Sequence, residues 1–482
     1  MVAKHDAERS SEVTTDAVDY RSLLICLGLG CIMWFAPHPE GLPTQGWHLL
    51  TIFAITILAL ILKPLPMGAV TILAMVISIL TKTLTPTEAF AGFKEQIVWL
   101  VVFALFIAKG FSVTGLGKRI AYLFTYLLGK SSLGLSYGLL ATDLIMAPAI
   151  PSVTGRMAGI VYPILKGIAN SYQSFPFSAS SRKIGGFLTV TAFQGTVVTS
   201  SMFMTAMAAN PLLTKLTNEQ NLSMSWPKWA LTGVVPGLIS LLLIPLVVYF
   251  VYPPEIKQTP NAPKNAYDQL KVLGKITRHE WIMSATVILL LVLWIFGGNF
   301  GVNAVLAAMI GVSILLLTGV LKWNDLMKID TAWDTFVWFC ILIMLASNLK
   351  HLGVIQWFSE SVGDRFTGLN WKIAFPLLAL VYFYSHYFFA SSTAHVTSMY
   401  IPFLLLGIAL GTPPMLAALI LIFFSSLYGG LTHYSLAPAP LLYAAGYVDI
   451  KDWWKLGFIV SILNIAIWST IGVAWWKLLG FW

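Results

Sequence analysis

The order of apolar and polar stretches along the chain predicts an all-helical membrane protein. Eleven apolar runs approach the length of about 20 residues that one helical crossing of a bilayer needs. They lie at about 21–36, 46–62, 66–81, 95–112, 184–209, 229–252, 280–297, 303–321, 333–350, 414–438 and 453–479. Residues 1–20 mix acids and bases without an apolar core, and we expect a disordered cytoplasmic tail there.

Two longer apolar regions, 131–169 and 371–411, are each interrupted in the middle. The first interruption reads APAIPS at 147–152, and the second reads ASST at 390–393. We interpret each region as a re-entrant hairpin, because irregular backbone at membrane depth is tolerated only where it is buried in protein or lines a cavity. The alternative, two full crossings in each region, leaves the flanking topology unchanged and stays open.

A short hydroxyl-rich pattern occurs once in each of these regions. SVTGRMAGIVYP begins at Ser152 and SSTAHVTSMYIP begins at Ser391, an offset of 239 positions. The same offset relates the Val-Trp pair at 98–99 to the Val-Trp pair at 337–338. A recurring break inside apolar sequence is typical of carriers built from two structural repeats, whose substrate lies where interrupted helices meet.

The repeat predicts how the membrane domain is organised. Residues 21–45 form a first helix outside the repeat, and residues 46–252 form the first repeat. A basic cytoplasmic linker at 253–279 leads to the second repeat at 280–482. Each repeat has five crossings, an odd number, so we expect the second repeat to be inverted in the membrane.

Composition narrows the class further. The chain is 57% hydrophobic and 10% charged, whereas soluble proteins are about 25% charged. Its net charge of +9 therefore indicates membrane orientation rather than nucleic-acid binding. Three cysteines in apolar runs form no disulfide or metal-binding pattern, and we expect no cofactor. Residues 116–130 suggest an amphipathic interfacial helix, with a loop that buries its aromatic residues as the alternative.

The two interruptions supply the candidate binding site. A helix that restarts after a break offers free N–H groups and a partial positive charge, which suit an anion. Isolated Ser or Thr residues in membrane helices more often bond the preceding turn or a neighbouring helix, but two matching motifs favour a site. The hairpin candidates for substrate binding are Ser152, Val153, Thr154, Ser391, Ser392 and Thr393.

Two Gly- and Thr-rich stretches, 193–211 and 428–440, extend this site. We expect Gly195 and Gly430 to allow unwound backbone beside the hairpins. The alternative is a glycine that lets two helices pack closely. The further candidates for substrate binding are Gly195, Thr196, Gly430 and Thr432.

Ionisable residues inside membrane segments are candidates for function. Arg156 and His395 are equivalent by the 239-residue offset, and each follows its hydroxyl motif. The structural alternative for Arg156 is a salt bridge to Asp143, and His386 is expected to be a hydrogen-bonded core histidine.

The motifs MAPAIPSVTGRMAGIVYP, SSTAHVTSMYIPF and GGLTHYSLAPAP resemble the divalent anion:sodium symporter family, within the ion transporter superfamily. The resemblance covers residues from about 21 to the end and is nearest to 2-oxoglutarate/malate translocators and to citrate/succinate or tartrate/succinate antiporters. It implies a homodimer with a scaffold domain and a transport domain that moves as an elevator. It also implies that the two hydroxyl motifs bind the substrate carboxylates.

The chain departs from the sodium-coupled members of that family. Those members have Ser-Asn-Thr at both motifs and bind Na⁺ beside each. Here the motifs read Ser-Val-Thr and Ser-Ser-Thr, and cationic side chains follow at Arg156 and His395. Our hypothesis is that Arg156 and a protonated His395 replace the sodium ions. A fixed cation cannot leave the empty carrier, so obligate exchange is expected unless Asp143 already neutralises Arg156.

We therefore expect a carrier, not an enzyme, that exchanges C4–C5 dicarboxylates (2-oxoglutarate, malate, succinate or fumarate) without sodium across a bacterial plasma membrane. The first alternative is sodium-coupled symport of a dicarboxylate or citrate, and tartrate exchange also stays open. A channel and an intramembrane metalloenzyme are more distant alternatives; the enzyme would use His386, His395 and His433, which form no zinc motif. The expected partners are dicarboxylate anions, the lipid bilayer and a second copy of the chain, with no nucleic acid.

Overall fold

A computed structural model describes residues 18–354, 356–357 and 370–482. Within these residues the regular structure is helical, with one isolated antiparallel bridge between Ser131 and Gln258. The predicted tail falls outside the described residues up to position 17. Asp19 already caps the first helix by accepting hydrogen bonds from the N–H groups of Arg21 and Ser22.

In chain order the helices are α1 (Tyr20–Phe35), α2 (Thr44–Leu62), α3 (Met67–Leu80), α4 (Pro86–Ala89), α5 (Gln96–Thr114), α6 (Leu116–Leu128), α7 (Ser132–Met146), α8 (Val153–Arg156), α9 (Tyr162–Ser171), α10 (Gly185–Met202), α11 (Ala209–Glu219), α12 (Trp226–Val251), α13 (Asn261–Leu273), α14 (Arg278–Phe296), α15 (Ala304–Leu317), α16 (Trp323–Met327), α17 (Asp330–His351), α18 (Trp371–Tyr384), α19 (Ser392–Ala409), α20 (Pro414–Leu427), α21 (Ala439–Ala444), α22 (Ile450–Ile467) and α23 (Val473–Leu478). One π-helical turn, Met157–Val161, joins α8 to α9, and another, Trp468–Gly472, joins α22 to α23.

Each of the eleven predicted apolar runs overlaps at least one of these helices, and the last run overlaps two, α22 and α23. Two runs were predicted too long, because α10 ends at Met202 and α20 ends at Leu427. Residues 116–130 form the helix α6 rather than a loop. The linker at 253–279 contains α13, which the sequence analysis did not predict.

By length and composition, seven helices among the described residues can cross a bilayer. They are Thr44–Leu62, Gln96–Thr114, Trp226–Val251, Arg278–Phe300, Asp330–His351, Ser392–Ala409 and Ile450–Leu478. Large apolar side chains on several helices are mostly exposed, including Leu317 at 89% and Phe250 at 78%. Such surface is favourable against lipid rather than water, and the chain is a multi-pass membrane protein.

The chain divides into two compact units. Unit 1 comprises Met1–Glu95 and Trp333–Ser361, and unit 2 comprises Gln96–Ala332 and Val362–Trp482. The core of unit 1 joins α2 and α3 to α17 through side chains such as Leu49, Met75 and Leu345. Gly92 in this unit has no substitute, because a Cβ there would lie 2.0 Å from the carbonyl oxygen of Cys340.

Unit 2 is built around α10, of which all 18 residues are buried. Helices α7, α12, α20 and α22 pack against it. A helix buried on every side can hold polar side chains only if they find partners inside the protein. Of its buried polar side chains, Gln194, Thr196 and Thr199 have hydrogen-bond partners on other segments.

Candidate functional site

The first interrupted region, hairpin 1 (residues 132–171), has the predicted break. Helix α7 ends at Met146, just before Pro148 and Pro151, which lack an N–H group and disfavour helix before them. The helix restarts at Val153, where Ser152 Oγ accepts a hydrogen bond from the N–H of Gly155 at 3.0 Å. Ser152 is therefore the N-cap of the second arm.

Hairpin 2 (residues 371–409) repeats this arrangement. Helix α18 ends at Tyr384, a 3₁₀ turn follows at Ser385–Phe388, and α19 begins at Ser392. Ser391 Oγ accepts from the N–H of Ala394 at 3.3 Å and caps the arm as Ser152 does. The prediction that a helix restarts at each hydroxyl motif is confirmed.

The two capped motifs, tip 1 (152–154) and tip 2 (391–393), expose matching groups. In each tip the first and third residues are partly exposed, whereas the middle residues Val153 and Ser392 are buried. Among the described residues no protein group accepts from the N–H groups of the first two helical residues of either arm. Each capping serine also keeps its own O–H for donation, because its oxygen serves as the acceptor.

Tip 1 is held by an interruption in the neighbouring helix, break 1 (residues 203–208), which separates α10 from α11. Thr205 Oγ1 donates to the carbonyl oxygen of Pro148 at 2.5 Å. Arg156 Nη1 donates to the carbonyl oxygen of Ala206 at 2.6 Å and also to that of Ile150. Hairpin 1 and break 1 are thus one hydrogen-bonded structure.

Arg156 is fully buried and paired. Its Nε donates to Asp143 Oδ1 at 2.9 Å, and its Nη2 donates to Ser200 Oγ at 2.8 Å. The other carboxylate oxygen of Asp143 accepts from Thr196 at 2.7 Å and from Thr199. The salt-bridge alternative is therefore confirmed: Asp143 pairs with Arg156. The hypothesis that Arg156 replaces a sodium ion stays a prediction.

Tip 2 is held by break 2 (residues 428–438), which follows α20. His386 Nε2 donates to the carbonyl oxygen of Ser435 at 2.8 Å, and the His386 ring stacks on Tyr428 with centroids 3.8 Å apart. Ser392 Oγ donates to the same carbonyl at 3.4 Å, and Tyr428 Oη donates to the carbonyl of Ser392 at 3.4 Å. His386 is thus a hydrogen-bonded core residue that joins hairpin 2 to break 2.

His395 is also fully buried, but its surroundings are aromatic. Its Nε2 lies 2.8 Å from Ser385 Oγ, which donates its one hydrogen to the carbonyl of Tyr382, so His395 Nε2 is the donor. The rings of Tyr382, Phe389 and Tyr428 meet the imidazole with centroids 4.6–4.7 Å away. Within the described residues His395 has no ion pair.

The predicted glycines differ in role. Gly195 lies inside the continuous helix α10, so the expectation of unwound backbone there is wrong. A Cβ at Gly195 would meet Leu140 at 2.5 Å, which is the close-packing alternative. Gly430 does lie in irregular backbone, and its carbonyl accepts from Gln194 Nε2 at 2.9 Å. Thr432 is buried in break 2, where its N–H donates to Ser435 Oγ at 3.2 Å.

Two buried amides that were not predicted link α10 and α11 to the region of α20 and break 2. Gln194 reaches from α10 to Gly430 in break 2. Asn210 Nδ2 donates to the carbonyls of Ser200 and Phe203 beside break 1, and its Oδ1 accepts from Ser426 at 3.2 Å. An amide inside an apolar segment is the signal that could have identified both residues, since such groups rarely lie in membrane helices without partners.

No group of three His, Cys, Asp or Glu side chains suited to a metal ion occurs in the described part of the chain. His433, the third histidine of the metalloenzyme alternative, accepts at Nδ1 from Trp454 Nε1 at 3.1 Å. His433 is half-buried, and its hydrogen-bond partner is an indole.

Two capped helix starts within one multi-pass helical unit are suited to holding a small anion by its ends, which is the work of a membrane carrier. The chain belongs to the family described as the sodium:sulfate symporter transmembrane region, which matches residues 17–482. The resemblance to divalent anion:sodium symporters is confirmed, and this is a family of transporters rather than enzymes.

Curated relatives match along almost the whole chain. "Putative malate transporter YflS" of Bacillus subtilis (strain 168) is 48% identical over 483 residues, with 100% of both chains covered. Dicarboxylate transporter 1, chloroplastic, of Spinacia oleracea is 48% identical over 465 residues. The match covers 96% of this chain and 82% of the spinach protein. The citrate/succinate antiporter of Escherichia coli (strain K12) is 33% identical, with 94% and 96% covered.

A solved structure shows a similar fold. The Alcanivorax borkumensis YdaH transporter superposes with a TM-score of 0.57 at 12% identity, covering 96% of this chain and 97% of that one. At this identity the likeness concerns the arrangement of helices alone.

Proposed function

We propose that the chain is a secondary active carrier that exchanges C4–C5 dicarboxylates across the plasma membrane of a bacterium without sodium. The observation that supports it is the pair of capped tips, each with free N–H groups and hydroxyl donors. One carboxylate of the substrate binds at Ser152 and Thr154, and the other binds at Ser391 and Thr393. The names of the malate, dicarboxylate and citrate/succinate relatives agree with such a substrate.

We further propose that the chain consists of two inverted repeats, with eleven membrane crossings and two re-entrant hairpins in total. The packing supports it: α17 of the second repeat shares a core with α2 and α3 of the first. In the reciprocal arrangement, α5 of the first repeat meets α14 and α15 of the second, because Gly110 lies against Met283 and Leu315. Such an exchange of helices is what a two-fold relation between repeats produces. A homodimer with elevator movement follows from the family resemblance.

Independence from sodium is proposed for tip 1 because of what Arg156 contacts. Its guanidinium donates to the carbonyl oxygens of Ile150 and Ala206. A hard cation such as Na⁺ needs oxygen ligands of this kind, and here the guanidinium already uses them. Asp143 balances the charge of Arg156. Of the two predicted fixed cations, only His395, if protonated, would leave an unbalanced positive charge in the empty carrier. Obligate exchange therefore depends on His395.

Sodium-coupled symport is the second candidate. The description of the family favours it, and at tip 2 no permanently charged side chain stands beside the motif among the described residues. If the chain is a sodium symporter, Na⁺ would supply the positive charge beside tip 2.

Radiolabelled succinate uptake into proteoliposomes tests the proposal. Vesicles are either preloaded with unlabelled 2-oxoglutarate or empty, each with and without a sodium gradient. We expect uptake that needs internal dicarboxylate and ignores sodium. Uptake into empty vesicles driven by sodium would establish symport instead. His395→Gln, which removes the ionisable ring, should allow uptake into empty vesicles; an unchanged need for internal dicarboxylate would exclude His395 as the fixed charge.

A further inference from the structure

A cavity of about 480 Å³ lies in unit 2, formed by residues other than those of the tips and breaks. Its walls come from three helices: α6, α9 in the second arm of hairpin 1, and α13. The volume falls in the range of about 300–1,000 Å³ that small-molecule sites occupy. The cavity thus has room for a ligand directly against the hairpin.

The walls of this cavity differ in chemistry. Pro163, Ile164 and Ile168 of α9 make one wall apolar. The α13 wall presents the amide side chains of Asn265 and Gln269 and the carboxylate of Asp268. An occupant that satisfies both walls must have an apolar part and a polar part.

The charged residues of α13 indicate which polar group a ligand in this cavity would have. Asp268 is the only charged residue that lines the cavity, and it makes no ion pair among the described residues. Lys264 and Lys271 lie four residues before it and three after it, on the same side of the helix, and are exposed. A carboxylate between two ammonium groups complements a zwitterion whose cation meets Asp268 and whose anion meets the lysines. An anionic group in contact with the Asp268 carboxylate itself is disfavoured by like-charge repulsion.

The surroundings indicate where the occupant comes from. The outer face of α6 exposes Leu123, Leu127 and Leu128, and Val272 of α13 is 81% exposed. Exposed lysines flank these apolar side chains at Lys118 and at 130, 264 and 271. Exposed leucines with flanking lysines are typical of helices that lie at the level of the lipid headgroups. A phospholipid at this level can place its headgroup between α6 and α13.

Two walls of the cavity, α6 and α13, are hydrogen bonded to each other. We therefore expect an occupant to affect the third wall, which belongs to hairpin 1. Thr259, just before α13, donates to the carbonyl oxygens of Gly129 and Lys130 just after α6. Arg119 of α6 donates to the carbonyl oxygen of Gly274, directly after α13, at 3.0 Å. The third wall, α9, continues through the π turn to Arg156 and tip 1. A molecule in the cavity therefore braces the arm that presents tip 1.

We propose that this cavity binds the headgroup of a zwitterionic phospholipid that has a primary ammonium group, and that the lipid stabilises hairpin 1. The ammonium donates to Asp268 as a lysine side chain would. The phosphate lies beside Lys264 and Lys271, and the glycerol end packs on Ile164 and Ile168. This site is separate from the proposed carboxylate site, so each can fail without the other.

Two glycines in hairpin 1 provide a matched pair of variants. A Cβ at Gly167, which lines the cavity, would meet nothing within 4 Å, and the same holds at Gly159, which does not line it. Gly167→Phe therefore adds a ring at the cavity wall from an unobstructed Cβ position, and Gly159→Phe adds the same side chain elsewhere on the arm. Asp268→Asn removes the carboxylate from an exposed position and leaves the fold intact.

The measurement is the midpoint of thermal unfolding of the purified full-length protein in detergent, with phosphatidylethanolamine, phosphatidylcholine or phosphatidylglycerol added. We expect phosphatidylethanolamine to raise the midpoint by about 3 °C or more in the unaltered protein and in Gly159→Phe. The rise should fall to about a third or less in Gly167→Phe and Asp268→Asn, and with phosphatidylcholine, whose ammonium has no N–H.

Three results would overturn the proposal. An equal rise with phosphatidylglycerol means that the site selects negative charge. An equal rise in Gly167→Phe means that the lipid binds elsewhere. An equal rise with water-soluble phosphoethanolamine means that a free headgroup, not a lipid, is the ligand. Because no transport is measured, these results do not depend on which substrate is carried.

Discussion

Hairpins 1 and 2 share a helix that restarts at a capping serine, but the side chains around that restart differ in chemistry. In both, a serine caps the second arm and a side chain reaches a carbonyl of the adjacent broken helix. In hairpin 1 that side chain is Arg156, whose charge is balanced by Asp143. In hairpin 2 it is His386, which lies within an aromatic cluster. The comparison teaches that the tip geometry is kept by hydrogen bonds to backbone, whereas the charge beside it is free to differ.

The largest expected effect concerns the ion pair of hairpin 1. Asp143→Asn should destabilise the protein by about 3–5 kcal/mol, because it leaves the Arg156 guanidinium buried without a counter-charge. Combining it with Arg156→Gln should restore part of that stability, since the unpaired charge is then gone. Thermal unfolding of the single and double variants measures both values. If the double variant is no more stable than Asp143→Asn, the pair is not what supports hairpin 1.

The next effect concerns the two caps, where we expect the hairpins to behave alike. Ser152→Ala and Ser391→Ala should each weaken dicarboxylate binding by about 1.5–3 kcal/mol, the value of a hydrogen bond to a charged group. Each should also cost about 1 kcal/mol of stability through the lost cap. Isothermal titration with succinate gives the affinities. Unchanged affinity in both variants would refute the assignment of the tips as the substrate site.

The smallest effect concerns the link in hairpin 2. His386→Phe keeps a ring on Tyr428 but removes the donor to the Ser435 carbonyl, so we expect a loss of about 1 kcal/mol. Tyr428→Phe keeps the ring and removes the longer bond to Ser392, so it serves as the control, with a smaller loss expected. Unfolding midpoints rank the two variants. The reverse ranking would mean that the phenol, rather than the imidazole, holds tip 2.

Local pattern predicted much of the fold. The apolar runs located the helices, and Pro148, Pro151 and the two serines located the breaks and caps, because each of these effects acts within a few residues. The prediction for Gly195 was wrong since glycine serves either unwinding or close packing, and only the position of Leu140 decides between them.

Hydrogen bonds between residues far apart in the sequence could not be predicted in the same way. Thr196 is 53 positions from Asp143, and Asn210 is 216 positions from Ser426, yet both pairs are hydrogen bonded. The possible pairing of Arg156 with Asp143 was visible because both lie in one hairpin. His386 was correctly predicted to be a hydrogen-bonded core histidine, but its partner was not predicted, because the carbonyl of Ser435 is a backbone group that every residue possesses.

The π turn Met157–Val161 has a consequence for how hairpin 1 tolerates change. Such a turn contains one residue more than an α-helix needs, and one residue corresponds to about 100° of rotation. The helical pieces before and after it are therefore rotated relative to a continuous α-helix. Deleting one residue there would turn the face that bears Gly167 relative to the face that bears Thr154, with no change in any side chain that contacts a ligand.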